Sequence, residues 1–156
     1  MRTVLCASAL ISILLAGCAT PPESSTPAQT AGVALGPRSA LDERIAYYAG
    51  LYDVPESLIR RSIVRESGYN PIAHRGPFWG LMQIRFETAR GMGYRGPARG
   101  LLDADTNLKY AVAYLSNAYV VAGGNPDRAL ALYASGYFYE ARRKGLLGRL
   151  RKVQGA

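Results

Sequence analysis

From Thr106 to Val121 the chain runs without a glycine or proline, and Leu108, Val112, Leu115 and Tyr119 recur at helical spacing until Gly123-Gly124 stops the pattern. This is the signature of a long helix, capped by Thr106 or Asp105, whose apolar stripe must be buried against other elements. Shorter stretches carry the same period. Leu41, Ile45, Tyr48, Ala49 and Tyr52 follow a weak capping box, Ser39 with Asp42. Asp53 and Glu56 repeat that box around Pro55, and Leu58, Ile59, Ile63 and Val64 carry a second helix to a C-terminal cap at Gly68. A third helix is expected over 86–91, and a fifth starts at Asn125-Pro126, runs through Ala129, Leu130, Leu132 and Tyr133, and ends near Gly136. No segment alternates like a strand, so the class is all-α or mainly helical, with irregular connections between Gly68 and Gly80 and between Gly91 and Asp103.

Composition narrows the chemistry. With 156 residues, 49% of them apolar, one globular domain is expected and a second of normal size is not. Two cysteines allow at most one disulfide, and the single His74 rules out a two-histidine zinc site, so neither a metal nor a cofactor is expected.

The first 17 residues pair a cationic start at Arg2 with an apolar run from Val4 to Leu15, the pattern of a secretory signal peptide. Their end, Leu15-Ala16-Gly17-Cys18, resembles the lipobox of bacterial lipoproteins, in which the thiol at the Cys18 position accepts the lipid and the peptide is cut just before it. Two other readings fit: an uncleaved membrane anchor, which Ser8, Ser12 and the small residues before Cys18 disfavour, and a buried cysteine. Cys6 falls inside the leader and would leave with it. Residues 18–38, with Pro21, Pro22, Pro27 and Pro37 among Ser, Thr and Gly, read as a tether spanning about 25 Å as a coil and about 60 Å as polyproline.

Glu66 is the residue that most invites a functional reading. Ile63, Ser62 and Ile59 lie three, four and seven residues before it, so it shares the core-facing stripe rather than the side of Arg60, Arg61 and Arg65. It also occupies the last helical turn, where the dipole and partial burial favour the neutral acid. Periodicity alone leaves two readings open: a general acid for a glycosidic oxygen, or a buried carboxylate paired with an arginine.

Three blocks bear on that choice. Glu66-Ser67-Gly68-Tyr69-Asn70-Pro71-Ile72-Ala73, Gly80-Leu81-Met82-Gln83-Ile84 and Thr88-Ala89 resemble the E-S-x-x-N-P-x-A, G-L-M-Q-I and T-A signature of the soluble lytic transglycosylase (SLT) domain family. Residues 105–115 resemble its D-x-x-N-I-x-x-G-x-x-Y-L helix, and residues 129–133 its A-L-A-A-Y-N-A-G segment, in the family's order over about residues 40–140.

The resemblance implies a lysozyme-like helical fold and a lyase. The acid at the Glu66 position would protonate the oxygen between N-acetylmuramic acid and N-acetylglucosamine, then take a proton from the C6 hydroxyl, leaving a 1,6-anhydro end without hydrolysis. No second carboxylate is demanded, and Glu87, Asp103 and Asp105 have simpler readings as helix-start charges. By the same resemblance Gln83 contacts substrate, Tyr133 bonds near Glu66, and Ser67 and Met82 shape the pocket. Three departures stand out: His74 for a frequent Ser, Arg85-Phe86 for Met-Pro, and Ala134-Ser135 for Asn-Ala. Arg85 is assigned to substrate binding, as a guanidinium able to take a muramyl or peptide carboxylate.

Other signals weigh less. Residues 91–96 satisfy G-x-G-x-x-G without a preceding strand or a βαβ unit, so no dinucleotide site is expected. Tyr137, Phe138 and Tyr139 suit core packing or sugar stacking. Residues 141–156 form a basic tail without an acid; for an exported lipoprotein, anionic lipid head groups or peptidoglycan are better partners than nucleic acid. The expected protein is a peptidoglycan lytic transglycosylase over residues 39–140, lipid-anchored through Cys18 at the periplasmic face of a bacterial envelope, with the outer membrane the expected one. A muramidase-type hydrolase and a non-catalytic glycan-binding or assembly lipoprotein are the rivals.

Overall fold

The structure, a computed structural model, describes residues 37–153; the leader, the lipidation candidate Cys18, the tether before Pro37 and residues 154–156 lie outside the described residues. Helix α1 (Pro37–Tyr52) begins on a proline, whose missing N–H is harmless in a first turn, and places Ile45, Tyr48 and Tyr52 in the core. Ser39 therefore lies inside the helix rather than before it, and the Asp42 carboxylate pairs with Arg60.

The expected cap around Asp53 is replaced by a turn. Asp53 takes φ 54°, and α2 (Glu56–Ser67) starts after Pro55, which has no polar side chain to cap it, while the Glu56 carboxylate is held by Arg60 one turn on. Its other end is as expected. Gly68 adopts the left-handed conformation at φ 61° and donates its N–H to the Ile63 and Val64 carbonyls.

The next segment, expected as an irregular connection, carries a small sheet within a fold that is mainly helical as expected. Strands β1 (His74–Arg75), β2 (Phe78–Trp79) and β3 (Ile84–Arg85) form a three-stranded antiparallel sheet in the order β1-β2-β3. Two-residue strands cannot display a period of two, so no sequence pattern announces them. Helix α3 (Phe86–Gly91) follows, then a 3-10 turn over Ala98–Leu102.

Helix α4 (Ala104–Val121) is the centre of the fold. It packs against α1 and against α5 (Pro126–Ser135), and fully buried Ala111, Ala113 and Ala118 let neighbours approach closely on several sides. Its cap is Asp103, whose carboxylate accepts the Thr106 N–H at 2.8 Å; Asp105 pairs with Arg44 on α1 instead. Asn125 caps α5 as expected, accepting the Arg128 N–H at 2.9 Å.

Helix α6 (Phe138–Arg143) runs across the point where the sequence reading ends the domain. Beyond it the chain is tied down by buried Asn117, which accepts the Arg151 N–H at 2.7 Å and donates to the Arg151 carbonyl at 2.9 Å. Val153 is buried and donates its N–H to Met92 O. The basic stretch is thus folded onto the core through Val153, with Arg142, Arg143, Arg149 and Lys152 exposed. Among the described residues no helix is long and apolar enough to cross a membrane.

Candidate active-site cleft

Glu66 stands in the last turn of α2, directly before the left-handed Gly68, with fully buried Ile59, Ser62 and Ile63 beneath it. Its side chain is 22% exposed, and Arg65 Nε and Nη2 both donate to Oε1, at 2.9 and 2.5 Å. Periodicity separates Arg65 from Glu66, yet a long guanidinium arm folds back to its neighbour's carboxylate. Arg65 also reaches the Leu130 carbonyl on α5, and Arg75 Nη1 donates to the Glu66 backbone carbonyl at 3.2 Å. Among the described residues no side chain bonds to Glu66 Oε2.

Opposite this turn lies the loop from Gly80 to Gln83, and its shape is set by buried polar groups. Gly80 takes φ 72°, and a Cβ there would run into Leu101 O and the Asn107 carboxamide. Asn107, on α4 and fully buried, donates to Trp79 O and Leu101 O, each at 2.8 Å, and accepts the Met82 N–H at 2.9 Å. Gln83 holds φ 47°, a conformation that costs a non-glycine residue about 1–2 kcal/mol. Its Nε2 donates to Ala73 O and Gly80 O at 3.0 and 2.8 Å, and those bonds offset the strain.

Two further bonds tie the loop to the helices. Ser67 Oγ donates to Leu81 O at 2.7 Å, and the Tyr133 hydroxyl donates to Met82 O at 2.8 Å. Burial pushes the Tyr133 phenol well above its ordinary pKa, and the nearby Glu66 and Tyr114 add to the shift, so Tyr133 serves as a fixed neutral donor.

Between these elements opens a cleft of about 510 Å³, whose wall includes Glu66, Gln83, Arg85, Tyr114, Tyr133 and Ala134. Four residues singled out for the site are thereby brought together: Glu66, Gln83, Tyr133 and Arg85. Met82 and Ser67 are not on that wall. The Met82 side chain is fully buried in the core, and Ser67 acts by tying α2 to the loop. Gln83 is 5% exposed on the cleft wall; two carbonyls engage its amide nitrogen, and its Oε1 has no partner among the described residues. Tyr133 bonds to Met82 O, on the loop that faces Glu66. Tyr137 is core, accepting from Asn117 and tilted against Tyr114, whereas Phe138 and Tyr139 are exposed.

Residues 43–151 match the family described as transglycosylase SLT domain. The chain belongs to that family. No solved structure matches it.

Several residues that shape this transglycosylase SLT domain carried no assigned role from sequence. Asn107 was legible in principle: it sits one turn before Ala111 on a buried face of α4, the same polar-on-apolar signal that drew attention to Glu66. Tyr114 lines the cleft in edge-to-face contact with Tyr133, rings 5.4 Å apart, and resembles an ordinary core aromatic in sequence. Arg75 and Phe78 had no signal, since their placement depends on the short sheet. Among the described residues no group of three or more His, Cys, Asp or Glu side chains could hold a metal ion.

Proposed function

We propose that this domain cuts peptidoglycan glycan strands as a lytic transglycosylase, with Glu66 as the only acid and base. The observation that carries the reading is the composition of the cleft wall, on which Glu66 is the one carboxylic acid among the described residues. Hydrolysis by two carboxylates needs a second one within about 5–9.5 Å across the sugar. Glu87, the acid closest along the chain to the β3 wall, faces Arg85 and is not part of the cleft.

Glu66 donates its proton to the bridging oxygen, and the substrate's N-acetyl group stabilises the oxocarbenium-like centre that follows. The carboxylate then removes the C6 hydroxyl proton, and the C6 oxygen closes on C1. Arg65 holds Oε1 and leaves Oε2 for both transfers. Gln83, Ser67 and Met82 contribute by fixing the loop that faces Glu66, and Tyr133 locks that loop to α5. The chemistry calls for no cofactor.

We also infer that Cys18 carries a lipid and places the domain near the periplasmic surface of a membrane, the outer membrane in the preferred reading. The exposed arginines and Lys152 at the C-terminal end then face anionic head groups. Mass spectrometry of peptidoglycan digested by the purified protein tests the reaction. Anhydro-muramyl ends support it, reducing ends favour the muramidase, and no soluble product favours a binding module.

A further inference from the structure

Arg75, Phe78 and Arg85 form one row across the small sheet. Arg75 is paired with Phe78, and Phe78 with Arg85, in antiparallel register, so the three side chains project from the same face. All three line the cleft that holds Glu66. The Arg85 guanidinium lies 5.6 Å from the centre of the Phe78 ring, which places an apolar plate between two cations.

Among the described residues neither cation is held in a close ion pair. Arg75 bonds to the Glu66 backbone carbonyl and, among the described residues, pairs with no acid. The nearest acid to Arg85 is Glu87 at 3.9 Å, with the two side chains 56% and 72% exposed, a separation and exposure at which an ion pair contributes almost nothing. The only carboxylate on the wall among the described residues is already held by Arg65. The facing rim, Ala134, Ser135 and Gly136, carries no charge.

We propose that the Arg75–Phe78–Arg85 row is a carboxylate-reading wall that selects strands by the acids hanging from the muramyl unit. This inference rests on the reading of the cleft as a peptidoglycan site and deepens it. A planar guanidinium grips a carboxylate with two parallel bonds, and a peptidoglycan strand offers such groups as stem-peptide carboxylates or, where the stem is removed, as the lactyl carboxylate. Phe78, 37% exposed, supplies the apolar contact for the intervening sugar face or lactyl methyl.

The test is binding by the full chain carrying Glu66→Gln, so that the probes survive. Three soluble probes are compared: strands with stem peptides, strands stripped by an amidase to free lactyl groups, and neutral N-acetylglucosamine oligomers. Arg75→Gln and Arg85→Gln are each expected to weaken binding to carboxylate-bearing strands about fivefold, the factor that ~1 kcal/mol corresponds to, and to leave the neutral oligomers unaffected. Arg85→Lys, which keeps the charge and loses the fork, falls in between. The preference for carboxylates shrinks as salt rises from about 0.05 to 0.5 M. Loss confined to stem-bearing strands identifies the peptide as the source, and loss on both acidic probes identifies the lactyl group as well.

Equal loss on all three probes, or no loss on any, overturns the proposal. A protein that discriminates in this way yet releases no anhydro product retires the enzymatic reading and leaves the row standing. Anhydro product with no discrimination does the reverse.

Discussion

The Asn107 side-chain oxygen accepts the Met82 backbone N–H at 2.9 Å, fixing from the central helix the loop that faces Glu66 across the cleft. The same carboxamide holds Trp79 O and Leu101 O, so one buried residue joins the sheet, the 3-10 turn and the 80–83 loop.

Asn107→Leu keeps the branched heavy-atom shape and removes all three bonds, stranding one N–H and two carbonyls in the interior. Each stranded group costs about 1–3 kcal/mol, so a loss of ~3 kcal/mol or more is expected in urea unfolding. Gly80→Ala should be similarly costly, since its Cβ collides with Leu101 O and Asn107 and its φ is left-handed. An unfolding midpoint unchanged in either variant contradicts this account of the loop.

Tyr133→Phe removes the hydroxyl that donates to Met82 O and keeps the ring against Tyr114. Stability should fall by about 1–2 kcal/mol. Turnover on peptidoglycan should drop with little change in KM, because the loop loosens opposite Glu66 while the cleft keeps its wall. A loss seen only in KM argues for direct substrate binding by the hydroxyl instead.

Glu140 pairs with Lys144 and Arg128, which hold its carboxyl below the usual range, Lys144 having the larger effect. A carboxyl lowered on folding stabilises the native state above its unfolded pKa of about 4.3, and that contribution disappears as pH falls through the lowered folded value. Glu140→Gln should therefore lower Tm at neutral pH, and its curve should meet that of the parent in acid. A Tm difference that persists unchanged to the acid end shows that the pairs do not stabilise the fold.

Much of this was legible in the sequence, and the failures share a cause. Helices α3 and α5 and the Gly68 cap followed from period and capping residues, which are local signals. The sheet was not legible: its strands are two residues long, and what pairs Arg75 with Phe78 and Phe78 with Arg85 is the turn chemistry between them and the Asn107 clamp behind them. Ser39 with Asp42 and Asp53 with Glu56 resembled capping boxes because the right residue types stood at the right spacing, while Pro55 and Arg60 decided otherwise through contacts that spacing does not encode. At the site, the placement of Glu66 on the apolar face of α2 holds, but its pairing with the adjacent Arg65 depends on side-chain reach rather than on backbone period.

The central claim is that Glu66 alone moves protons in the cleft. Glu66→Gln preserves the size of the side chain and abolishes proton donation, so turnover of peptidoglycan into anhydro-muramyl products should fall by at least ~10²–10⁴, or about 3–5 kcal/mol of barrier. Helical content and Tm should stay near those of the parent. The deciding measurement is the rate of anhydro-product release by parent and variant on the same substrate: the account predicts that collapse with the fold intact, and near-parental turnover by Glu66→Gln would contradict it.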